Sequence, residues 1–292
     1  MGQALKEGLG APAWNSWRRR RLGVIILTMT FKSRRHALGQ HFLRDASILN
    51  KIADAVGPRP EEVIVEVGAG TGALTRVLAP RCRTLVALEK DARLIPGLSE
   101  GSPANVRAEH ADALRFDIKR LAGALGVGSL KLVGNIPYSI STPLLHRVLE
   151  ERELISECHF LVQKEVAEKL TAAPGSRKYG PLSVMIQVFF TARVAFRVAP
   201  GSFSPPPEVE SAFVSLRKRE QPLVPLVDAE AFHRFLRQAF AARRRTLCGN
   251  FARRAAADVL AAACSSAGVP EKARAEELPV ETLFALFRAL KS

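Results

Sequence analysis

The chain has 292 residues, enough for one or two domains, and its apolar fraction of 47% and charged fraction of 24% are those of a soluble globular protein. A net charge of +15, from 43 Lys and Arg against 28 Asp and Glu, favours a polyanionic partner, although it would also serve solubility. The four cysteines form no C-x-x-C pair and the six histidines no H-E-x-x-H motif. We therefore expect no metal site, no disulfide framework and a reducing compartment.

The N-terminal stretch places Arg18 to Arg21 before a short apolar run, Leu22 to Met29. That order resembles a signal peptide, but no small-residue cleavage site follows, and a membrane span needs about 20 apolar residues. We expect residues 1–30 to be a disordered arm or an extension upstream of a true start at Met29. The predicted location is cytoplasmic, or organellar if residues 1–28 are a presequence, with no membrane association.

The pattern from residue 31 to residue 219 alternates between helix and strand periods. A helix is predicted over 46–56, from the cap at Asp45 to Gly57-Pro58. Further helices are predicted over 73–78, from Asp91, and over 164–172 and 182–190. Strands are expected at 63–67, 84–88, near 106, 130–134, 158–162, 192–198 and 212–216. This alternation predicts an α/β fold, a Rossmann-like, mainly parallel sheet of seven strands with helices on both faces.

The last part of the chain changes character. Arg217-Lys218-Arg219, Pro222 and Pro225 suggest a linker, and the pattern beyond Asp228 is purely helical, with a last helix over 280–290. We expect residues 220–292 to form a small, basic, all-α domain.

Glycines and acids follow the first predicted strands. Gly68 and Gly70 would let a ligand approach the backbone, and Gly72 would permit close helix contact. Glu89 ends the second strand, where an acid binds ribose hydroxyls, and this spacing also satisfies the NAD fingerprint. Asp112 supplies a further acid, suited to an adenine amine. A nucleoside cofactor without a pyrophosphate fits this set better than NAD does, and S-adenosylmethionine fits that description.

A tetrapeptide with the chemistry of an amine-binding site follows the fourth predicted strand: Asn135-Ile136-Pro137-Tyr138. The Asn135 amide and the Pro137 carbonyl can accept hydrogen bonds from an amino group, and the Tyr138 ring can stack on a flat heterocycle. An ordinary strand-to-helix turn also favours Asn and Pro. The acids on the preceding strands favour the nucleobase interpretation.

Several motifs in order resemble the rRNA adenine N6,N6-dimethyltransferases of the KsgA/RsmA type, from about residue 36 to the C-terminus. The motifs are 38–43 (LGQHFL), 66–75 (EVGAGTGALT), 135–144 (NIPYSISTPL), 163–167 (QKEVA), 179–184 (YGPLSV), 203–209 (FSPPPEV) and 240–247 (FAARRRTL). The sequence departs from the family at His41, usually Asn, at Ala69, usually Pro, and at Ala242, usually Gln. These departures leave open the side-chain contact of residue 41 and one RNA or packing contact.

The resemblance implies an S-adenosylmethionine-dependent enzyme that dimethylates two adjacent adenines in a loop near the 3′ end of small-subunit (16S-type) rRNA, within the immature ribosomal subunit. We expect a monomer. The cofactor contacts implied are those of Gln40, His41, Leu43, Gly68, Gly70, Glu89, Asp112 and Asn135.

The expected mechanism needs orientation rather than a strong base, because a sulfonium is a good leaving group. Asn135 and the Pro137 carbonyl would aim the adenine nitrogen. The target base would stack on Tyr138 or on Phe203, although Phe203 by itself also suits core packing.

Arginine clusters are the predicted RNA contacts. Arg243, Arg244 and Arg245 are the first choice, and Arg18 to Arg21 and Arg34-Arg35 are further candidates. A solvated helix face would show the same charges.

Three alternatives stay open at the level of sequence. They are a large-subunit rRNA adenine methyltransferase of the macrolide-resistance type, a non-catalytic factor of ribosome assembly or organellar transcription, and an NAD enzyme. The number of adenines and methyl groups is also left open.

Overall fold

The protein is built around one twisted sheet of seven strands. A computed structural model describes residues 40–252 and 256–291. The expected N-terminal extension and the clusters Arg18 to Arg21 and Arg34-Arg35 lie outside the described residues. No helix within those two ranges is long and apolar enough to cross a membrane.

The described residues form nine strands. They are β1 Phe42–Leu43, β2 Val63–Val67, β3 Thr84–Glu89, β4 Val106–His110, β5 Leu130–Asn135, β6 Ile155–Gln163, β7 Phe190–Val198, β8 Phe203–Ser204 and β9 Ser211–Lys218. Seven of them were predicted, and the two short ones, β1 and β8, were not. The large sheet has the order β4-β3-β2-β5-β6-β9-β7, and β9 runs antiparallel to both of its neighbours. The prediction of a mainly parallel seven-stranded sheet is confirmed.

Helices cover both faces of this sheet. They are α1 Ala46–Val56, α2 Ala73–Leu78, α3 Ile95–Glu100, α4 Ile118–Leu125, α5 Ser141–Glu150, α6 Lys164–Leu170, α7 Pro181–Phe189, α8 Ala229–Ala239, α9 Leu247–Phe251, α10 Ala257–Ser266 and α11 Val280–Lys291. The α1 helix has the predicted bounds, because the Asp45 carboxylate accepts from the N–H groups of Ser47 and Ile48, and Gly57 ends the helix with a φ of 54°.

The central strands bury both of their faces. Val65 and Leu132 belong to the larger apolar cluster, and their neighbours Ile64 and Val133 belong to the smaller one. Because successive strand residues point to opposite faces, a strand covered on both sides reads as a continuous apolar run. This covering leaves the strand ends as the places where polar side chains gather.

The part of the chain after residue 228 is helical, as predicted. Phe232 is fully buried there and contacts the rings of Phe235, Phe284 and Phe287. These helices share the larger apolar cluster with one face of the sheet. The exact boundary at residue 220 stays a prediction.

Candidate active site

The glycine loop that joins β2 to α2 folds back on β3. Gly68, Gly70 and Gly72 have φ angles of 72°, 59° and 79°, which side chains other than glycine rarely adopt. The N–H groups of Gly68 and Ala69 donate to the Leu88 carbonyl at 2.9 and 3.1 Å. A β-carbon at Gly70 would also lie 2.9 Å from the Phe42 ring. The loop therefore lies tightly between β3 and the segment around Phe42.

Glu89 ends β3 and fastens that loop. Its side chain is 3% exposed, and its two carboxylate oxygens accept from the N–H groups of Gly70 and Asp91, each at 2.8 Å. A carboxylate oxygen has two acceptor directions. Each oxygen of Glu89 thus retains one direction for a further donor.

Asp112 lies just beyond the end of β4. One carboxylate oxygen accepts from Lys90 Nζ at 2.8 Å, and the other accepts from the Leu114 N–H at 3.0 Å. The Lys90 hydrogen bond lowers the pKa of Asp112, so this group is a carboxylate at neutral pH. The Ala111 N–H donates to the Glu89 carbonyl, which ties the two acidic ends together.

Asn135 ends β5 and joins segments that are far apart in sequence. Its amide nitrogen donates to the His41 carbonyl at 2.7 Å, across 94 positions. That bond fixes which end of the amide is the nitrogen, and the Oδ1 atom has no hydrogen-bond partner among residues 40–252 and 256–291. A β-carbon at Gly68 would lie 3.7 Å from the Asn135 carbonyl and 3.6 Å from Pro137 Cδ. Asn135 therefore lies beside the glycine loop.

The Pro137 carbonyl has a different role from the predicted one. It accepts from the Ile140 N–H at 3.0 Å and from Ser141 Oγ at 3.4 Å, which closes the short turn after β5. The Ile136 carbonyl has no such partner in the described part of the chain. The backbone acceptor beside Asn135 is therefore better assigned to Ile136, a correction that the sequence could not supply.

Tyr138 is half-buried, with its ring 5.6 Å from the His41 ring at an interplanar angle of 33°. Its hydroxyl shares a 2.8 Å hydrogen bond with Ser211 Oγ, and burial raises its pKa. His41 Nδ1 in turn lies 2.9 Å from the Pro205 carbonyl. The predicted residues 41, 135 and 138 are thus brought together, with Pro205 and Ser211 as supports that the sequence did not reveal.

Phe203 and Leu43 lie in the core rather than on an open surface. They pair across the two-stranded ladder of β1 and β8, and each is 5% exposed. Both belong to the smaller apolar cluster. The Phe203 ring has little exposed surface in this arrangement, and its role as a stacking platform stays a prediction. Leu43 could reach a cofactor only through its backbone, and Gln40 is half-buried beside His41.

Glu66 is a buried acid that the sequence analysis did not assign to the site. It is 2% exposed in the middle of β2, and Thr75 Oγ1 donates to its Oε2 atom at 2.6 Å. Burial raises its pKa to about 8, and the nearby Glu89 charge adds to that rise. Glu66 is therefore mostly protonated at neutral pH. An acid inside an apolar strand was the signal that could have identified it.

The three arginines of the 243–245 cluster differ in their surroundings. The Arg243 guanidinium donates to the carbonyls of Arg177 and Tyr179, the latter at 2.6 Å. Arg244 and Arg245 are exposed, and their guanidinium groups have no partner among the described residues. Arg243 thus ties the 177–179 loop to the helical region, and its predicted contact with RNA stays a prediction.

Four of the loop amides are already used by the protein. The N–H groups of Gly68, Ala69, Gly70 and Gly72 all donate to protein oxygens. A pyrophosphate needs free N–H groups at such a loop. Two carboxylates with spare acceptor directions suit ribose hydroxyls and an adenine amine instead, so the residues present fit S-adenosylmethionine better than NAD.

Together, the strand order, the acids after β3 and β4 and the Asn135 motif after β5 define a Rossmann-like methyltransferase. A family model described as ribosomal RNA adenine dimethylase matches residues 31–292. The chain belongs to this family, which confirms the predicted resemblance and the prediction of an enzyme of this class.

Relatives and solved structures agree with this assignment. The ribosomal RNA small subunit methyltransferase A of Geobacter metallireducens is 41% identical over 261 residues, covering 88% of this chain and 95% of the relative. That of Xylella fastidiosa strain Temecula1 is 40% identical over 256 residues, covering 87% and 94%. The crystal structure of the 23S rRNA methyltransferase ErmE superimposes with a TM-score of 0.70 at 30% identity, covering 86% of this chain and all of that one. A dimethyladenosine transferase from Plasmodium falciparum shows the same fold, with a TM-score of 0.70 at 24% identity over 84% of this chain and 96% of that one.

Proposed function

We propose that this protein transfers methyl groups from S-adenosylmethionine to the N6 atoms of two adjacent adenines near the 3′ end of small-subunit rRNA. The observation that carries the proposal is the position of Asn135, whose amide is held by His41 beside the glycine loop and whose oxygen is left for a ligand. The family match and the names of the relatives support an rRNA adenine as the acceptor.

The cofactor would be held by the carboxyl ends of three neighbouring strands. Glu89 offers one acceptor direction on each carboxylate oxygen, which suits the two ribose hydroxyls. Asp112 would accept from the adenine amine, and the exposed Lys90 can turn away from it without leaving a buried charge unpaired. When bound, S-adenosylmethionine supplies a methyl group on a positively charged sulfur.

The acceptor nitrogen needs help because its lone pair is delocalised into the adenine ring. Asn135 Oδ1 and the Ile136 carbonyl can accept the two amine hydrogens, which favours a pyramidal nitrogen with an aimed lone pair. The His41 carbonyl keeps the Asn135 amide from turning over. Such alignment can lower a barrier by up to about 7–11 kcal/mol in well-oriented systems. Tyr138, held through Ser211, is the more exposed of the two aromatic candidates for stacking the flipped base.

Arg244 and Arg245 are the proposed phosphate contacts, since both are exposed and neither guanidinium group is used within the described protein. The enzyme must also be present where its ribosomal substrate is assembled. We therefore propose that it acts on immature small subunits in the cytoplasm, as a monomer.

A second candidate function is methylation of a large-subunit adenine, and the structural similarity to the 23S rRNA methyltransferase ErmE supports it. The small-subunit relatives share 40–41% identity over most of their length, against 30% for ErmE. That difference favours the small-subunit substrate.

The decisive test supplies methyl-labelled S-adenosylmethionine with immature small subunits and, separately, with large subunits, and then maps the labelled base. We expect N6,N6-dimethyladenosine at two adjacent positions near the 3′ end of the small-subunit rRNA. Label on a large-subunit adenine instead would establish the second candidate. Label on neither subunit would refute both.

A further inference from the structure

The helical region contains a close pair of thiols that methyl transfer does not use. Cys248 on α9 and Cys264 on α10 have their Sγ atoms 2.8 Å apart, across 16 positions in sequence. The other two cysteines, Cys82 and Cys158, are buried elsewhere in the fold. Scattered positions in the sequence gave no sign of this pair.

The spacing of the two sulfurs suits a covalent bond better than a shared metal ion. Two thiolates on one tetrahedral zinc ion lie roughly 3.8 Å apart, because each Zn–S bond is about 2.3 Å long. The Cys248 and Cys264 sulfurs are already closer than that. A disulfide needs an S–S distance of about 2.05 Å, a closure of less than about 1 Å from the observed contact.

A cavity gives reagents a route to this pair. It has a volume of about 570 Å³ and is lined by both cysteines together with apolar residues such as Leu260 and Val269. Cys248 is half-exposed, whereas Cys264 is 4% exposed. Burial, followed by the hydrogen bond with Cys248, raises the pKa of Cys264 to about 12. Cys248 is thus the sulfur that a reagent meets first.

We propose that Cys248 and Cys264 form a redox-active dithiol that low-molecular-weight disulfides convert into an intramolecular disulfide. The Cys248 thiolate attacks one sulfur of the reagent R–S–S–R, forms a mixed disulfide and releases RS⁻. Cys264 then attacks Cys248 Sγ and releases the second RS⁻, and the protons of the two protein thiols end on the two RSH products. Two protein thiols are oxidised and one reagent disulfide is reduced. The new bond joins α9, which starts just after Arg244 and Arg245, to α10.

The test treats the reduced, full-length protein with oxidised glutathione, alkylates the remaining thiols and digests with trypsin without reductant. We expect peptide 246–253 linked to peptide 255–272, and the link should disappear on adding dithiothreitol. Cys82 and Cys158 serve as internal controls and should remain free thiols. A glutathione adduct that persists on Cys248, a link found only between two chains, or no reaction at all would overturn the proposal.

Two variants separate the roles of the sulfurs. Cys264→Ser should stop at a stable glutathione adduct on Cys248, because the resolving thiol is missing. Cys248→Ser should slow modification of Cys264 by roughly tenfold or more, because burial keeps that thiol protonated. Equal reaction rates at the two positions would contradict the assigned order of attack.

Discussion

Charged side chains lie at both ends of the central strands, but they differ in how many of their hydrogen bonds the protein itself satisfies. At the carboxyl end, Glu89 and Asp112 keep acceptor directions that no group in the described part of the chain fills. At the amino end, Lys131 of β5 bridges Glu62 at 2.9 Å and Glu157 at 3.5 Å, and it also donates to the Val56 carbonyl at 3.3 Å. The first set has room for a ligand, whereas the second is closed by its own partners.

The amino-end network is completed by a buried histidine. His159 lies 2.7 Å from Glu157 through Nε2 and 3.1 Å from Ser215 Oγ through Nδ1. The His159 hydrogen bond, together with the Lys131 charge, lowers the pKa of Glu157 to about 2. A fully paired set of this kind supports the fold, and its loss should alter stability without altering cofactor binding.

The comparison shows that a charge within an apolar strand does not by itself mark a site. Charged residues lie beside apolar runs at both ends of the strands. Only the carboxyl end has hydrogen-bonding capacity that the described part of the protein leaves free.

The largest expected effect is that of Asn135→Ala, which removes the proposed acceptor of the adenine amine. We expect the rate of the methyl-transfer step to fall by about 10²–10³-fold, the loss typical of removing one preorganised transition-state contact. Single-turnover methylation of small subunits measures it. The matched control is Asn50→Ala on α1, an exposed Asn whose amide only donates to the Ala46 carbonyl, and wild-type rates for both variants would refute the role of Asn135.

Lys131→Met changes the amino end of the strands and should lower the stability of the fold rather than the rate of methyl transfer. It removes the buried charge that Glu62 and Glu157 share and leaves them other partners such as Arg59 and His159. We expect the free energy of unfolding to fall by about 1–3 kcal/mol. Urea denaturation gives that value. Calorimetric affinity for S-adenosylmethionine should stay at the wild-type level, and a matching loss of affinity would show that the two ends are not independent.

Glu66→Gln tests the buried acid beneath the loop. The folded pKa of about 8 lies above the ordinary value of 4.5, so the protonated group contributes stability below pH 4.5 that is lost as the pH rises through 8. Gln keeps an acceptor for Thr75 and carries no charge. Relative to wild type, the variant should therefore gain several kcal/mol at pH 9 and nothing near pH 4, since each unit of the rise is worth about 1.36 kcal/mol. A stability difference that does not change between these pH values would contradict a raised pKa.

The smallest expected effect is a difference between Arg244 and Arg243 in how strongly rRNA binding depends on salt. Arg244→Ala should reduce the slope of log affinity for rRNA against log salt concentration by about 1, since it removes one phosphate contact. Arg243→Ala should leave that slope nearly unchanged and lower stability instead, because Arg243 binds the Arg177 and Tyr179 carbonyls. Filter binding at several salt concentrations, with urea denaturation alongside, separates the two variants.

Local signals predicted most of the fold. The caps at Asp45 and Gly57 set α1, and each of the seven strands of the large sheet overlaps a predicted strand. Strand ends were less certain: β6 begins at Ile155 rather than near Cys158, because Ser156 and Glu157 interrupt its apolar run. The antiparallel placement of β9 between β6 and β7 depends on long-range pairing that no local pattern contains.

The candidate site was also predictable only in part, because local sequence patterns locate strand ends but not contacts between distant segments. The positions of Glu89, Asp112 and Asn135 follow from strand ends alone. The bond from Asn135 to the His41 carbonyl, the occupied Pro137 carbonyl and the pairing of Phe203 with Leu43 join distant or irregular segments. Such contacts are set by tertiary structure, and one of them corrects the predicted role of Pro137.

The most direct test of the difference between the two strand ends titrates S-adenosylmethionine into two glutamate variants by calorimetry. Glu89→Ala removes two proposed hydrogen bonds to a charged group and should weaken binding by about tenfold to 100-fold or more. Glu157→Ala removes an acid of the paired network and should bind like wild type, although it unfolds at a lower urea concentration. Equal affinities for wild type and Glu89→Ala, or an equal loss in both variants, would contradict the assignment of the cofactor to the carboxyl end.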